Sequence, residues 1–287
     1  MTAVDVHAFA VEAGHATLRG EWAGTGSSVV LLHAGICDRR IWDAEFAALA
    51  ENHRVVRYDL RGFGESVPSA ATDDCPFSHH SDLLAVLDHL AIGRAVLVGA
   101  SFGGLVAIDA TLIMPDRVAA LVTACATPGG WPWDDVVRDV WSKVDDALER
   151  GAVAEANELE LRLWVDGPRR GPDAVDPELR AWVGAMNAVS LAAPWSGRGE
   201  QPLDPIATDR LAEIRCPALV IVGERDVPGV IAAGERIASA NGCAVMVRFP
   251  DAGHLPSLEE PERFLRELEL FLSHAEDVVK RRYPVAR

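Results

Sequence analysis

Short apolar runs rich in β-branched residues recur along the chain at residues 29–32, 55–58, 96–98, 121–122, 219–222 and 245–247, each closed by a turn signal. They are continuous rather than alternating, as expected of strands in a parallel sheet covered by helices on both faces. Between them, helical periodicity covers residues 41–51, 81–90, 102–114, 230–240 and 261–275, and Pro115 stops the third of these. Strand and helix alternate, which predicts an α/β fold. Ahead of this rhythm, HAFAV and ATLRGEW flank EAGH and predict an antiparallel hairpin at one sheet edge, so the sheet is expected to be mixed.

One interval breaks the rhythm: Val122 and Leu219 are 97 residues apart. The excess, residues 130–205, has helical patterns at 134–149, 153–164 and 177–189 and is bounded by the Pro/Gly-rich ATPGGWPW and GRGEQPLDP. It reads as a helical lid inserted into a core made of residues 1–129 and 206–287. Six of the eight tryptophans (Trp131, Trp133, Trp141, Trp164, Trp182 and Trp195) fall inside it. Packing onto the sheet accounts for most of them, while Trp131, Trp133 and Trp164 are candidates to line an apolar pocket together with Ile36. The last ten residues, VVKRRYPVAR, are expected to be a frayed terminus.

The 287 residues carry 27 Lys plus Arg against 43 Asp plus Glu, a net charge of −16. Polyanions and anionic membranes repel such a chain on average, so nucleic acid is not an expected partner. The same field favours neutral or cationic small-molecule substrates over anionic ones, unless Arg39, Arg40 or Arg61 outweigh it locally. The longest uncharged apolar stretch, residues 95–108, is too short for the roughly 18–20 residues of a membrane span. The first fifteen residues lack a basic region and carry Asp5 and Glu12 where a secretory signal needs an apolar run, so a cytoplasmic protein is expected. Five dispersed cysteines without a CxxC pair signal neither a disulfide framework nor a zinc site. They read as packed thiols, Cys37 included.

The densest chemistry is Gly99-Ala100-Ser101-Phe102-Gly103, between the strand RAVLV and the helix FGGLVAIDA. A strained strand-to-helix turn there would lift the Ser101 hydroxyl clear of the sheet and aim the Phe102 N–H and the helix N-terminus at an oxyanion formed by its attack. A serine hydroxyl needs a neighbouring base. Of nine histidines, His254 lies on a loop at a strand's C-terminal end, where an α/β site forms. His53, His79, His80, His89 and His274 fall on helices or their flanks and are expected to be solvated or capping, and His33 to organise a turn whose N–H groups supply a second oxyanion donor. A carboxylate must fix the base's tautomer; Asp226 in Gly223-Glu224-Arg225-Asp226 is the choice, with Glu224 as the alternative. The order Ser101, Asp226, His254 is the one that strand-and-helix hydrolases use.

Five motifs in sequence, LLHAGICDRRIW, YDLRGFGES, VGASFGG, VGERDVP and AGHLPSLEEPERF, make the chain resemble the α/β-hydrolase family over essentially its whole length. The resemblance implies a mostly parallel eight-stranded sheet flanked by helices, with the cap inserted after strand 6. It further implies Ser101 as nucleophile, Asp226 as acid, His254 as base, and an oxyanion hole from the Phe102 N–H plus one near Gly35, with Ala34, Gly35 and Ile36 all open as the second donor. Many relatives have His-Gly where this chain has His33-Ala34. No metal or organic cofactor is required. Serine at 101 separates the chain from the dehalogenase and epoxide hydrolase branches, whose nucleophile is a carboxylate. Asp59 and Arg61 are expected to hold a turn. The expected activity is hydrolysis of an ester or lactone of a small, largely apolar molecule. Carbon–carbon bond or enol-lactone hydrolysis, and a slow-turnover ligand-binding or signalling role, stand as alternatives. The sequence carries nothing that fixes an oligomeric state.

Overall fold

A computed structural model describes residues 5–193, 195 and 197–282. The strands are β1 (Val6–Ala13), β2 (Ala16–Ala23), β3 (Ser28–Leu32), β4 (Arg54–Tyr58), β5 (Ala95–Ala100), β6 (Val118–Ala124), β7 (Ala218–Gly223) and β8 (Ala244–Phe249). The helices are α1 (Asp43–Leu49), α2 (His79–His89), α3 (Phe102–Ile113), α4 (Asp135–Glu149), α5 (Val153–Glu160), α6 (Pro177–Leu191), α7 (Ala207–Arg210), α8 (Pro228–Ala240), α9 (Pro256–Glu259) and α10 (Pro261–Arg282). All eight strands form one sheet in the order β1-β2-β4-β3-β5-β6-β7-β8. β1 and β2 are the antiparallel hairpin at one edge, and β3 through β8 run parallel.

Successive strand residues point to opposite faces, and both faces are apolar. Val29, Leu31, Val96, Val98 and Val122 pack against Phe46 and Leu49 of α1 and Phe264 and Leu268 of α10. Val30, Leu32, Leu97 and Leu121 pack against Leu83 and Leu87 of α2 and Val106 and Ile108 of α3. Burial on both faces is why these strands read as unbroken apolar runs.

The pattern mispredicts two helix ends. Helix α10 continues beyond residue 275 through Arg282, so the basic segment 278–282 is helical rather than frayed, while residues 283–287 lie outside those described. The helix expected over 153–164 is α-helical only to Glu160 and then widens into a π-helical turn, Leu161–Asp166. Among the described residues, no helix is long and apolar enough to cross a membrane.

The stretch after β4 is held by buried charge. The Asp59 carboxylate accepts the backbone N–H groups of Arg39 and Glu65 at 2.9 and 2.8 Å and pairs with the Arg39 guanidinium. The Arg61 guanidinium donates to both oxygens of Asp82 at 2.8 and 2.5 Å and to the Ala13 carbonyl at 2.7 Å. These contacts tie the turn to the hairpin and to α2, so Arg61 is already neutralised.

Asp109, on the buried side of α3, is 8% exposed and its Oδ1 has no hydrogen-bond partner among the described residues. Burial, with a smaller contribution from Glu200, pushes its carboxyl up to about 7 against the opposing pull of Arg210. An unfolded chain returns it to about 3.9. Between those values the native state holds the proton and the unfolded state does not, so stability falls as pH rises from about 4 to about 7 and levels off above. Urea unfolding is therefore expected to show Asp109→Asn losing a pH-dependent component on the order of 2–4 kcal/mol between pH 4 and pH 8. An unchanged slope in the variant would refute this origin.

Candidate active site

The site lies at the C-terminal edge of the parallel strands, where open α/β sheets place their ligands. Ser101 stands between β5 and α3 with φ 49° and ψ −114°, a conformation costly for a residue with a Cβ. Its N–H donates to the Ala124 carbonyl on the neighbouring strand at 2.8 Å, and its carbonyl accepts from Gly104 and Leu105 at 2.9 and 3.1 Å. The turn closes only because its flanks lack side chains. A Cβ on Gly99 would lie 2.3 Å from the Gly103 carbonyl oxygen, and one on Gly103 would lie 2.2 Å from that of Leu32.

Three side chains from distant parts of the chain meet above this turn. His254 Nε2 is 2.8 Å from Ser101 Oγ, and His254 Nδ1 is 2.8 Å from Asp226 Oδ2. A carboxylate only accepts, so Nδ1 carries the proton and Nε2 is left to receive that of the serine. Asp226 Oδ1 also accepts the Val227 N–H at 2.6 Å. Asp226 is 1% and His254 3% exposed, which removes competing water from this chain of hydrogen bonds. The alternative acid, Glu224, instead faces Arg248 at 3.6 Å. The Trp164 ring covers His254 with centroids 4.6 Å apart.

The backbone N–H of Phe102 opens α3 beside Ser101, and the Gly35–Ile36 segment forms the facing wall of the same cavity. Among the described residues, no hydrogen bond engages the N–H groups of Phe102, Gly35 or Ile36. Ala34 is fully buried and outside the cavity wall, its carbonyl accepting from His33 Nδ1 at 2.8 Å and from the Cys37 N–H at 3.0 Å. The other ring nitrogen of His33 accepts the Leu60 N–H at 2.9 Å, so His33 ties two loops together through a neutral ring that burial keeps below its usual pKa.

The cavity over Ser101 holds about 310 Å³ and is walled by Ile36, Leu105, Val230 and the tryptophans Trp133, Trp141 and Trp164. Trp131, expected on this wall, lies outside it beside Gly229, and its indole N–H is buried without a partner among the described residues. His79, expected to be solvated or capping, is buried edge-on against the Phe102 ring at 4.9 Å, and burial lowers its pKa to about 3. Two groups on the wall carried no chemical signal in the sequence: Glu160, hidden in an ordinary helical pattern, and Cys125, which read as one packed thiol among five.

Cys125 follows β6 with φ 50°, and its Sγ lies 3.5 Å from the Gly253 carbonyl and receives the Gly223 N–H at 3.3 Å. Sγ, an Asp226 oxygen and a His254 ring nitrogen lie within 4.8 Å of one another, a set with the elements of a metal site. The imidazole and carboxylate are engaged with each other and the thiol with backbone, which makes the three a hydrogen-bonded buttress.

Replacing Gly103 by Ala is expected to destabilise the protein by about 1–3 kcal/mol or more in urea unfolding, because backbone rather than a flexible side chain must yield. Wild-type stability in this variant would show that the turn has room for a Cβ after all. Burial, with Asp226 adding to it, holds the Cys125 thiol far above its ordinary pKa, whereas Cys243 is exposed. Brief iodoacetamide treatment of the native protein should therefore label Cys243 and spare Cys125, as read by peptide mass spectrometry, with Cys125 labelled only after unfolding. Native labelling of Cys125 at a comparable rate would contradict the buttress.

Comparison with known proteins agrees with this fold. The chain is 30% identical over 270 residues to a pimeloyl-(acyl-carrier protein) methyl ester esterase of Methylococcus capsulatus, covering 88% of this chain and 97% of that one. It is 25% identical over 239 residues to 3-oxoadipate enol-lactonase 1 of Acinetobacter baylyi, covering 80% and 82% of the two chains. In three dimensions it is similar to a thermophilic esterase from Thermogutta terrifontis, with a TM-score of 0.76, 27% identity, and coverage of 94% and 99%. The profile of the alpha/beta hydrolase family matches residues 29–267, and the chain belongs to that family.

Proposed function

We propose that this protein is a serine hydrolase that cleaves a carboxylic ester or lactone of a small, largely apolar molecule through an acyl-enzyme. The observation that carries the reading is the unbroken hydrogen-bonded chain from Ser101 through His254 to Asp226, ending in a cavity with apolar walls. In this reading Ser101 Oγ attacks the carbonyl carbon as its proton passes to His254 Nε2, and Asp226 stabilises the imidazolium that results. The tetrahedral oxyanion is held by the N–H groups of Phe102 and Gly35, both without other partners among the described residues. His254 returns the proton to the leaving alcohol, and a water activated by the same imidazole then releases the acid. Ile36, Trp133 and Trp164 bind the apolar part of the substrate, and the helical segment 130–205 acts as the cap.

The esterase relatives support the reaction class. The enol-lactonase likeness supports a lactone as a second substrate type, since opening a ring ester uses the same steps with the leaving alcohol still tethered.

Ser101→Ala is expected to lower kcat on p-nitrophenyl acetate and butyrate by about 10⁴–10⁶, as for a nucleophile and base that act as a unit. A purified Ser101→Ala protein with wild-type turnover would overturn the assignment. A wild-type protein giving only one stoichiometric burst would move the reading to a ligand-binding member of the family.

A further inference from the structure

Among the described residues, the cavity wall contains one acidic residue, and the proposed hydrolysis does not use it. Glu160 ends α5 just where the chain widens into the π-helical turn 161–166, an irregularity often found at functional positions. Glu160 lines the chamber over Ser101 and also the adjoining cavity toward Arg61 and Phe77.

The carboxylate is held in place by a short relay of amides. The Asn187 side chain, 1% exposed, donates to Glu160 Oε2 at 2.6 Å and to Asn157 Oδ1 at 3.1 Å, and the Asn157 amide donates in turn to the Gly184 carbonyl at 2.9 Å. Side chains of α5 and α6 thus fix one acidic group at the rim of an apolar chamber. The charge is left without a counter-ion: among the described residues, Glu160 makes no ion pair, and Arg61 in the adjoining cavity is taken by Asp82. Burial and the nearby Asp145 both disfavour its ionised form. The rings of Trp133, Trp141 and Trp164, with centroids 5.2 to 6.5 Å apart, line the same chamber, and indole faces attract cations. A carboxylate with no partner of opposite charge, aromatic faces and a net charge of −16 all make the chamber negative.

We infer that Glu160 determines specificity by receiving a cationic group of the substrate, so that the favoured esters carry a protonated amine or quaternary ammonium on the part lying against the tryptophans. The inference rests on the hydrolase reading for its reaction but not for its binding contact. A cation placed there supplies the missing counter-charge, whereas an uncharged group of the same shape leaves the carboxylate unpaired and a carboxylate is repelled.

The test uses two esters of one shape, choline acetate and its uncharged carbon isostere 3,3-dimethylbutyl acetate, with acid release followed by pH-stat. The wild type is expected to favour the cation by about 10- to 100-fold in kcat/KM, the size of a hydrogen bond or contact to a buried charge. Glu160→Gln, which keeps the shape and the bond from Asn187, should bring the ratio of the two values near one, and Glu160→Asp should restore part of it. Binding is read separately by tryptophan fluorescence on Ser101→Ala, where choline acetate should bind at least about tenfold tighter than the isostere. If the wild type hydrolyses neither ester yet Ser101→Ala retains this binding preference, the hydrolase reading fails and the inference stands. A ratio near or below one in both turnover and binding, or a ratio that Glu160→Gln leaves unchanged, overturns it.

Discussion

Everything at this site depends on how closely α3 approaches the sheet. A single residue, Ser101, separates the end of β5 from the start of the helix, whose first turn rests on the carbonyl of Leu32 at the end of β3, a contact that exists only because position 103 has no Cβ. Position 104 is similarly tight, since a Cβ there would fall 2.3 Å from that of Ala126. This approach forces the chain through the positive φ at Ser101, and the same strain that costs conformational energy aims the hydroxyl at His254 rather than along the sheet. It also brings the N-terminus of α3 against the loop after β3, where the Gly103 N–H bonds to the His33 carbonyl at 3.0 Å. One steric fact thus locates the nucleophile, a helix N-terminus and the opposite cavity wall together.

That fact is written locally, which is why so much of the proposed centre was legible in the sequence. A Gly-x-Ser-x-Gly turn, an Asp three residues past a strand and a His five residues past the next one specify short-range geometry, and a parallel sheet gathers strand ends at one edge. The core strands were legible for a similar reason, because burial on both faces leaves an unbroken apolar run. The choice between Asp226 and Glu224 needed the third dimension: two residues apart on one turn, only one reaches His254 while the other turns toward Arg248. The cavity wall was legible only in part. Trp133 and Trp164 reach the chamber and Trp131 does not, although all three belong to one tryptophan-rich stretch, because their directions depend on how the inserted helices pack on each other and on the sheet. Glu160 was invisible, since an acidic residue in a helical pattern reads as a solvated face, and the π-helical turn that begins at Leu161 leaves no mark in that pattern.

The buried groups around Asp226 show how the rest of the fold serves this edge. Cys125 occupies the end of β6, between the strands that carry Ser101 and Asp226, and is itself at positive φ. Its N–H is tied to the Ile221 carbonyl at 2.8 Å, which draws the end of β6 onto β7, and its Sγ bridges Gly223 and Gly253, the residues where the acid and base loops cross. That crossing is as tight as the one at Ser101, since a Cβ on Gly223 would lie 1.9 Å from the Gly253 carbonyl oxygen. A thiol suits the position: it is small and polarizable, and its weak hydrogen bonds tolerate lengths that a hydroxyl's would not.

Electrostatics then separates the two sides of the proposed centre. On the side of the acid, the Asp226 carboxylate accepts hydrogen bonds from the imidazole and from the Val227 N–H, so its burial is compensated within the turn. Across the chamber, half-buried Glu160 has one amide donor and, among the described residues, no opposite charge. Carrying a buried charge without an opposite charge is expensive in low dielectric. A fold under selection for stability alone would place an apolar residue on that wall, like Val230 or Leu105 beside it. The cost becomes useful only when something positive enters the chamber. A uniformly apolar pocket would bind any small ester by shape, whereas the role inferred for Glu160 adds a distinction by charge before the carbonyl reaches Ser101.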